Sequence, residues 1–215
     1  MAISNNNTGL RPGVCTSSTR PVSPYNGQVI YETDTKQTLV YQGSNWVMLT
    51  DADTPPGLVL IKTQAVGTTV SSVTVTGVFS SEFDNYKITW NNGTFSAGND
   101  GYLQLGSSTS SYAYQIHYAN FGASSPLTYG ATSDANFRYV TEGDTNVAGI
   151  NAELIGPYLS KYTACYALGL GSGIASMHLF GLHKVASSYT DFTVGPNSGT
   201  MSGGTIRVYG YRNTI

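Results

Sequence analysis

No run of a dozen residues in this chain combines a helical period with low Gly, Ser and Thr content. Short β-prone runs recur instead, broken at fairly even spacing by Gly, Asn, Asp and Ser. That pattern restricts the fold to an all-β sandwich or barrel. Residues 58–63, 72–78, 86–90, 102–105, 137–140, 148–154, 176–182, 192–194 and 205–211 read as strands. Asn91-Asn92-Gly93 and Asn99-Asp100-Gly101 read as hairpin turns, and residues 119–136 read as loop. Tyr112, Tyr114, Ile116 and Tyr118 share one face of a further strand. Tyr162, Ala164, Tyr166, Leu168 and Leu170 form the longest alternating run. Residues 176–182 are apolar on both faces, as a central strand should be. Uneven strand lengths and the lack of a repeat of roughly 20 to 50 residues favour a two-layer, antiparallel, jelly-roll-like sandwich over a closed barrel or solenoid.

Ahead of that domain, residues 28–33, 38–42 and 46–49 are three short β-prone runs joined by polar turns at 34–37 and 43–45, a β-meander. A few strands with one thin apolar face bury too little to stand alone. The meander is therefore expected to lean on a further surface, such as another copy of itself. Residues 1–19, broken by Gly9, Pro12 and Gly13, read as an extended arm. Pro55-Pro56 stiffens a linker and cannot continue a central strand. The expected organisation is an arm at 1–19, a meander with its Pro linker at 20–56, and the sandwich at 57–215.

Charge narrows the function classes. Only 10% of residues are charged and the net charge is −2, against roughly 25% charged in ordinary soluble chains. Scattered single Lys and Arg residues argue against capture of nucleic acid or an anionic membrane. No stretch is long and apolar enough to insert in a bilayer, and residues 1–8 lack the pattern of a signal peptide. Low charge with abundant Ser, Thr, Asn and Tyr suits a chain that packs against copies of itself. Cys15 and Cys165 are expected to be free thiols.

Reactive constellations are scarce. His178 and His183, five apart, fall on opposite faces of a strand, and His117 sits on a different strand, so no chelating set is expected. Glu82/Asp84 and Glu142/Asp144 are acidic pairs, but their sequences read as turns in which Asp and Asn cap their own backbone. The 142–146 stretch lacks the spacing of a calcium loop. No nucleophile elbow, phosphate loop or Cys-x-x-Cys is present. The expectation is a non-enzymatic protein with no cofactor and no metal. Tyr112, Tyr118 and Tyr129 are candidate receptor contacts, able to stack on sugar rings. The competing reading is that such aromatics, with Trp46 and Trp90, fill a core or a subunit interface.

Arg20-Pro-Val-Ser-Pro-Tyr-Asn-Gly-Gln-Val-Ile-Tyr-Glu-Thr-Asp-Thr35, followed by Gly43 and Trp46, resembles a module found in structural proteins of tailed bacteriophages. Its pattern is approximately R-P-x-x-P-x-x-G-x-x-I-Y-[DE]-T-D-T, a short strand, then G-x-x-W. Residues 83–88 and 204–210 resemble, more loosely, phage fibre or decoration domains. The resemblance implies a virion protein assembled in the bacterial cytoplasm. Its N-terminal part would attach to other virion proteins of tail, portal or capsid, and its C-terminal β-domain would be displayed. A homotrimer and a host surface glycan are the implied partners. It carries over no catalytic residue. Ile30, Tyr31, Val40, Tyr41 and Trp46 are the candidate assembly residues, hidden when copies of the meander pack together. Tail fibre comes first among the readings, head decoration protein second, and a polysaccharide-cleaving spike third.

Overall fold

The computed structural model describes residues 12–49, 57–169 and 176–212. Every regular element among them is a strand, so the all-β expectation holds. The chain divides into two compact units, one within Met1–Pro56 and one within Gly57–Asn213.

The first unit is a four-stranded sheet of β1 (Gly13–Cys15), β2 (Val29–Glu32), β3 (Gln37–Gln42) and β4 (Asn45–Met48), side by side in chain order. Strands β2, β3 and β4 form the expected antiparallel meander. The arm needs correcting, because residues 13–15 are a strand that pairs in parallel with β2, Gly13 opposite Ile30. This strand gives the outer backbone groups of β2 partners that an open edge would lack. Arm residues 1–11 and the Pro55-Pro56 linker lie outside the described residues. Register places Ile30 opposite Leu39, and both are buried. Glu32, Tyr41, Trp46 and Met48 share their face, while Val14, Val29, Tyr31, Val40 and Val47 share the other.

The second unit is a sandwich of two unequal sheets. Its strands are β5 (Leu58–Ala65), β6 (Val73–Val75), β7 (Phe83–Phe95), β8 (Asn99–Leu105), β9 (Tyr112–Ala119), β10 (Leu127–Asp134), β11 (Phe137–Gly143), β12 (Ala148–Ile155), β13 (Thr163–Gly169), β14 (Ser176–His183), β15 (Phe192–Pro196), β16 (Met201–Ser202) and β17 (Thr205–Arg212). The large sheet runs β10-β9-β14-β13-β12-β7-β17-β5, with β16 on the far end of β7, and the small one runs β11-β8-β15-β6. Ile88, Trp90, Ile116, Leu154 and Leu179 of the large sheet join Leu103, Leu105, Phe137, Phe192 and Val194 of the small one in a single core. Each such side chain contributes about 1.5–3 kcal/mol through burial.

Four local expectations change. Asn91-Asn92-Gly93 is a bulge inside β7, not a hairpin turn. Gly93 pairs with Ala148 and Trp90 with Ile150, so Asn91 and Asn92 face Gly149 alone. Asn92 takes a φ of 61°, a conformation that Asn tolerates. Glycine is required next to it, since a Cβ on Gly93 would lie 1.9 Å from the Trp90 ring. Asn99-Asp100-Gly101 belongs to β8, the true turn being residues 96–98. Strand β10 occupies part of the stretch expected as loop. Being an edge strand with mostly exposed polar side chains, it carries little hydrophobic signal.

The fourth change concerns the long alternating run. Tyr162, Tyr166 and Leu168 are exposed, while Thr163, Cys165 and Ala167 face the core; Leu170 lies outside the described residues. Strand β14 is central, between β13 and β9, yet only one of its faces is covered. Phe180 and Leu182 point outward at 49% and 46% exposure.

Candidate functional site

The motif residues of the N-terminal sheet converge on one polar clasp. Glu32 is fully buried, and its carboxylate takes a hydrogen-bonded ion pair from Arg20. The Thr35 hydroxyl donates to its other oxygen at 2.8 Å. The Arg20 guanidinium first, and then the Thr35 hydroxyl, hold this carboxyl below its ordinary value, with burial opposing them. Asp34 accepts the Ser17 backbone N–H at 3.0 Å and the Ser17 hydroxyl at 2.6 Å. Thr33 donates its N–H to the Cys15 carbonyl at 3.0 Å. Gly27 and Gly43 take φ values of 85° and 71° in the turns, where a side chain would be strained. The motif letters are thus the chemistry that ties residues 15–20 to β2.

The candidate assembly residues do not form one surface. Ile30, Tyr41 and Trp46 lie on the clasp face, where Ile30 is already buried and the Tyr41 and Trp46 rings meet edge-on at 5.3 Å. Tyr31 and Val40 lie on the opposite face with Val14, Val29 and Val47, partly exposed. Tyr41 and Trp46 are also partly exposed, so both faces offer aromatic and aliphatic surface.

The candidate receptor tyrosines separate too. Tyr112 is a core residue, fully buried and stacked on His183 at 4.1 Å between ring centroids. Its hydroxyl accepts the Leu105 N–H at 2.8 Å and donates to the Ser108 carbonyl at 3.3 Å. Burial pushes that phenol up to about 12, so the expectation that Tyr112 contacts a receptor is corrected. Tyr118 and Tyr129, in contrast, meet at one cavity of about 320 Å³, walled also by Tyr139, Asn99, Asp100 and Glu142.

Strand pairing builds this cavity at the β10–β9 end of the large sheet, against β8 and β11 of the small one. Tyr129 pairs with Ile116, so it shares the inward face of β9 with Tyr118. Asp100 of β8 pairs with Glu142 of β11, and the register shifts between Arg138 and Thr141. Tyr139 sits in that irregularity with a φ of 61°, which is unusual for a bulky residue. Its ring meets Tyr129 at 5.5 Å and 63°. Arg138 donates twice to Asp100, at 2.9 and 3.0 Å. The Glu142 Oε2 atom is buried and has no hydrogen-bond partner. Burial first, and then the Asp100 charge, push the Glu142 carboxyl up. A larger cavity of about 560 Å³ beside Trp90 and Met177 has no Asp, Glu, Lys or Arg among its described lining residues.

Other candidates have local roles. Asp144 caps its own turn, accepting the Asn146 N–H at 2.7 Å and the Val147 N–H at 3.0 Å. Glu153 takes the Tyr211 hydroxyl at 2.7 Å and Lys87 at 3.5 Å. His178 and His183 fall on opposite faces, as spacing implies, but His117 and His178 are direct cross-strand partners. Sequence spacing cannot reveal that adjacency. His183 is buried, its Nε2 2.7 Å from the Tyr189 hydroxyl, and burial lowers its pKa. Both cysteines are free, and burial raises the Cys165 thiol. Among the described residues no three His, Cys, Asp or Glu side chains gather to hold a metal. No protein-family model and no curated protein matches the sequence. Tyr139, Asp100 and Arg138 were absent from the sequence-derived candidates. An Asp-Gly pair that mimicked a turn hid the first wall of the cavity, and no periodicity marks a bulge.

Proposed function

We propose that the chain is a non-enzymatic structural protein of a tailed-bacteriophage particle. In this reading the N-terminal sheet attaches to the virion, and the jelly-roll-like sandwich is displayed outward for host adsorption, in a homotrimer. The observation that carries it is the clasp. The residues through which the sequence resembles a phage attachment module, Arg20, Glu32, Thr33, Asp34, Thr35 and the turn glycines, act together in one folded unit. They leave Val14, Tyr31 and Val40 accessible on the opposite face.

Two further features support it. Tyr166 and Phe180 meet edge-on at 5.5 Å on the outer face of the large sheet, with Ile155, Leu168 and Leu182 exposed around them. Such a patch suits a neighbouring copy. Glu142 is unpartnered, but Asp100 beside it is tied to Arg138 by two hydrogen bonds and Glu153 is held by Lys87 and Tyr211. Glu142 therefore lacks the second unengaged carboxylate that a hydrolytic pair uses on a sugar. The test is the copy number of the chain in purified particles, by quantitative mass spectrometry, with adsorption measured after adding free protein. A few copies in multiples of three, and blocked adsorption, are expected. Copies scaling with capsid sites, and heads that leak without the chain, would instead mark a head decoration protein. Reducing sugar released from host polysaccharide would mark the cleaving spike.

A further inference from the structure

We propose that the tyrosine cavity binds the protonated primary amine of a sugar-sized ligand, an amino sugar with an unsubstituted ammonium group. The inference deepens the adsorption reading and rests on it only for where the ligand would be met. The binding chemistry stands on the cavity itself.

Arg138 answers the Asp100 carboxylate through two hydrogen bonds, although enough of the Asp100 charge reaches Glu142 to raise its carboxyl. Glu142 is the remaining ionisable carboxylate on the wall, and its Oε2 is buried without a donor. A buried acceptor without a partner is costly, and more so when charged. A ligand that brings a positive N–H donor removes that cost, and one that brings only a hydroxyl does so less well.

The rings supply the second half. Tyr129 and Tyr139 stand at 63° to each other with centroids 5.5 Å apart, and Tyr118 lines the same cavity. Arg138 already lies over Tyr139 at 5.2 Å from its centroid, so Tyr139 props Tyr129 edge-to-face. Tyr129 and Tyr118 beside the carboxylate are the rings that attract an organic cation and give a sugar ring a surface to stack on. Tyr129 is 42% exposed, which keeps the mouth open. The bulge in β11, with Tyr139 in a left-handed conformation, aims that ring at the cavity. At about 320 Å³ the space is at the small end of ligand pockets, which run from roughly 300 to 1,000 Å³. It holds one ring rather than a chain of them.

The donor requirement sorts the candidates. The quaternary ammonium of choline satisfies the rings but has no N–H for Oε2, which leaves only its neutral hydroxyl to donate there. N-acetylglucosamine and glucose satisfy the rings without charge. Titration calorimetry of the full chain at pH 7 with glucosamine, N-acetylglucosamine, glucose and choline should therefore give measurable binding for glucosamine and at least about tenfold weaker binding for the other three. Glu142→Gln should weaken glucosamine at least about tenfold while the thermal midpoint holds or rises. Tyr129→Ala, at an exposed position, should weaken it without unfolding the chain. Equal binding of N-acetylglucosamine or glucose, equal binding of choline, an unchanged Glu142→Gln affinity, or no binding of glucosamine at tens of millimolar would each overturn the inference. Glucosamine binding without any block of particle adsorption would leave the site intact and count against the adsorption reading alone.

Discussion

The N-terminal sheet and the sandwich are held together by different forces. Ile30 and Leu39 are the only hydrophobic side chains buried among the described residues of the first. Two such side chains are a thin apolar core for a four-stranded sheet. Specific polar contacts, Arg20 to Glu32 and Ser17 to Asp34, fix its geometry. The sandwich has a continuous core from both sheets, and most of its polar contacts are peripheral. A short sequence motif is therefore readable in the first region because a clasp needs particular residues. The second needs only apolar side chains of suitable volume, and its sequence is correspondingly anonymous.

The two regions should fail separately when each is damaged by its own mechanism. Trp90→Ala removes a buried ring whose Nε1 donates to the Gly203 carbonyl at 3.1 Å. It should cost the sandwich about 3–5 kcal/mol, read in denaturant by loss of core methyl resonances. Arg20→Ala leaves the Glu32 carboxylate buried without its cation. Because Arg20 is itself more than a third exposed, the loss from the N-terminal sheet should be about 1–2 kcal/mol, less than for a fully buried pair, reported by the Trp46 indole resonance. Adding Glu32→Gln to that variant should restore part of the loss, because no buried charge is then left unpaired.

Acid offers a test with a fixed sign. Glu32 is held below its ordinary value of 4.5, so the stability it contributes is fully present above about that pH. It is lost as pH falls through the depressed folded value. Arg20→Ala should abolish this segment of the pH profile of the Trp46 resonance, and an unchanged profile would mean the clasp is not what acid breaks. A comparable effect is expected from Tyr112→Phe, which leaves the Leu105 N–H without its 2.8 Å partner and should cost the sandwich about 1–2 kcal/mol. The smallest stability effect belongs to Phe180→Asp on the outer face, within about 0.5 kcal/mol for the folded chain. It should nonetheless shift light-scattering mass from trimer toward monomer.

The sandwich was legible wherever side chains alternate, as along Tyr112, Tyr114 and Ile116, which all face the core. Alternation has no sign, however. Tyr162, Tyr166 and Leu168 look like a core face, yet they point outward, because the smaller Thr163, Cys165 and Ala167 are what fit beneath the second sheet. Asn-Gly and Asp-Gly pairs serve bulges and glycine-tight pairings as readily as turns. A Cβ on Gly101 would come within 2.7 Å of the Thr141 side chain, a reason for glycine that sequence alone does not display. The cavity was half legible. Tyr118, Tyr129 and Glu142 stood out by residue type, while Tyr139 and Asp100 join them through cross-strand register and a bulge that no local pattern announces.

We propose that the clasped sheet fastens this chain to a virus particle. That attachment is tested most directly by mixing purified chain with particles made without it and measuring what sediments with them. Wild-type protein should saturate at a fixed number of copies per particle, and Arg20→Ala should leave the chain in the supernatant while its sandwich remains folded. Equal sedimentation of both proteins, or of neither, would contradict the claim.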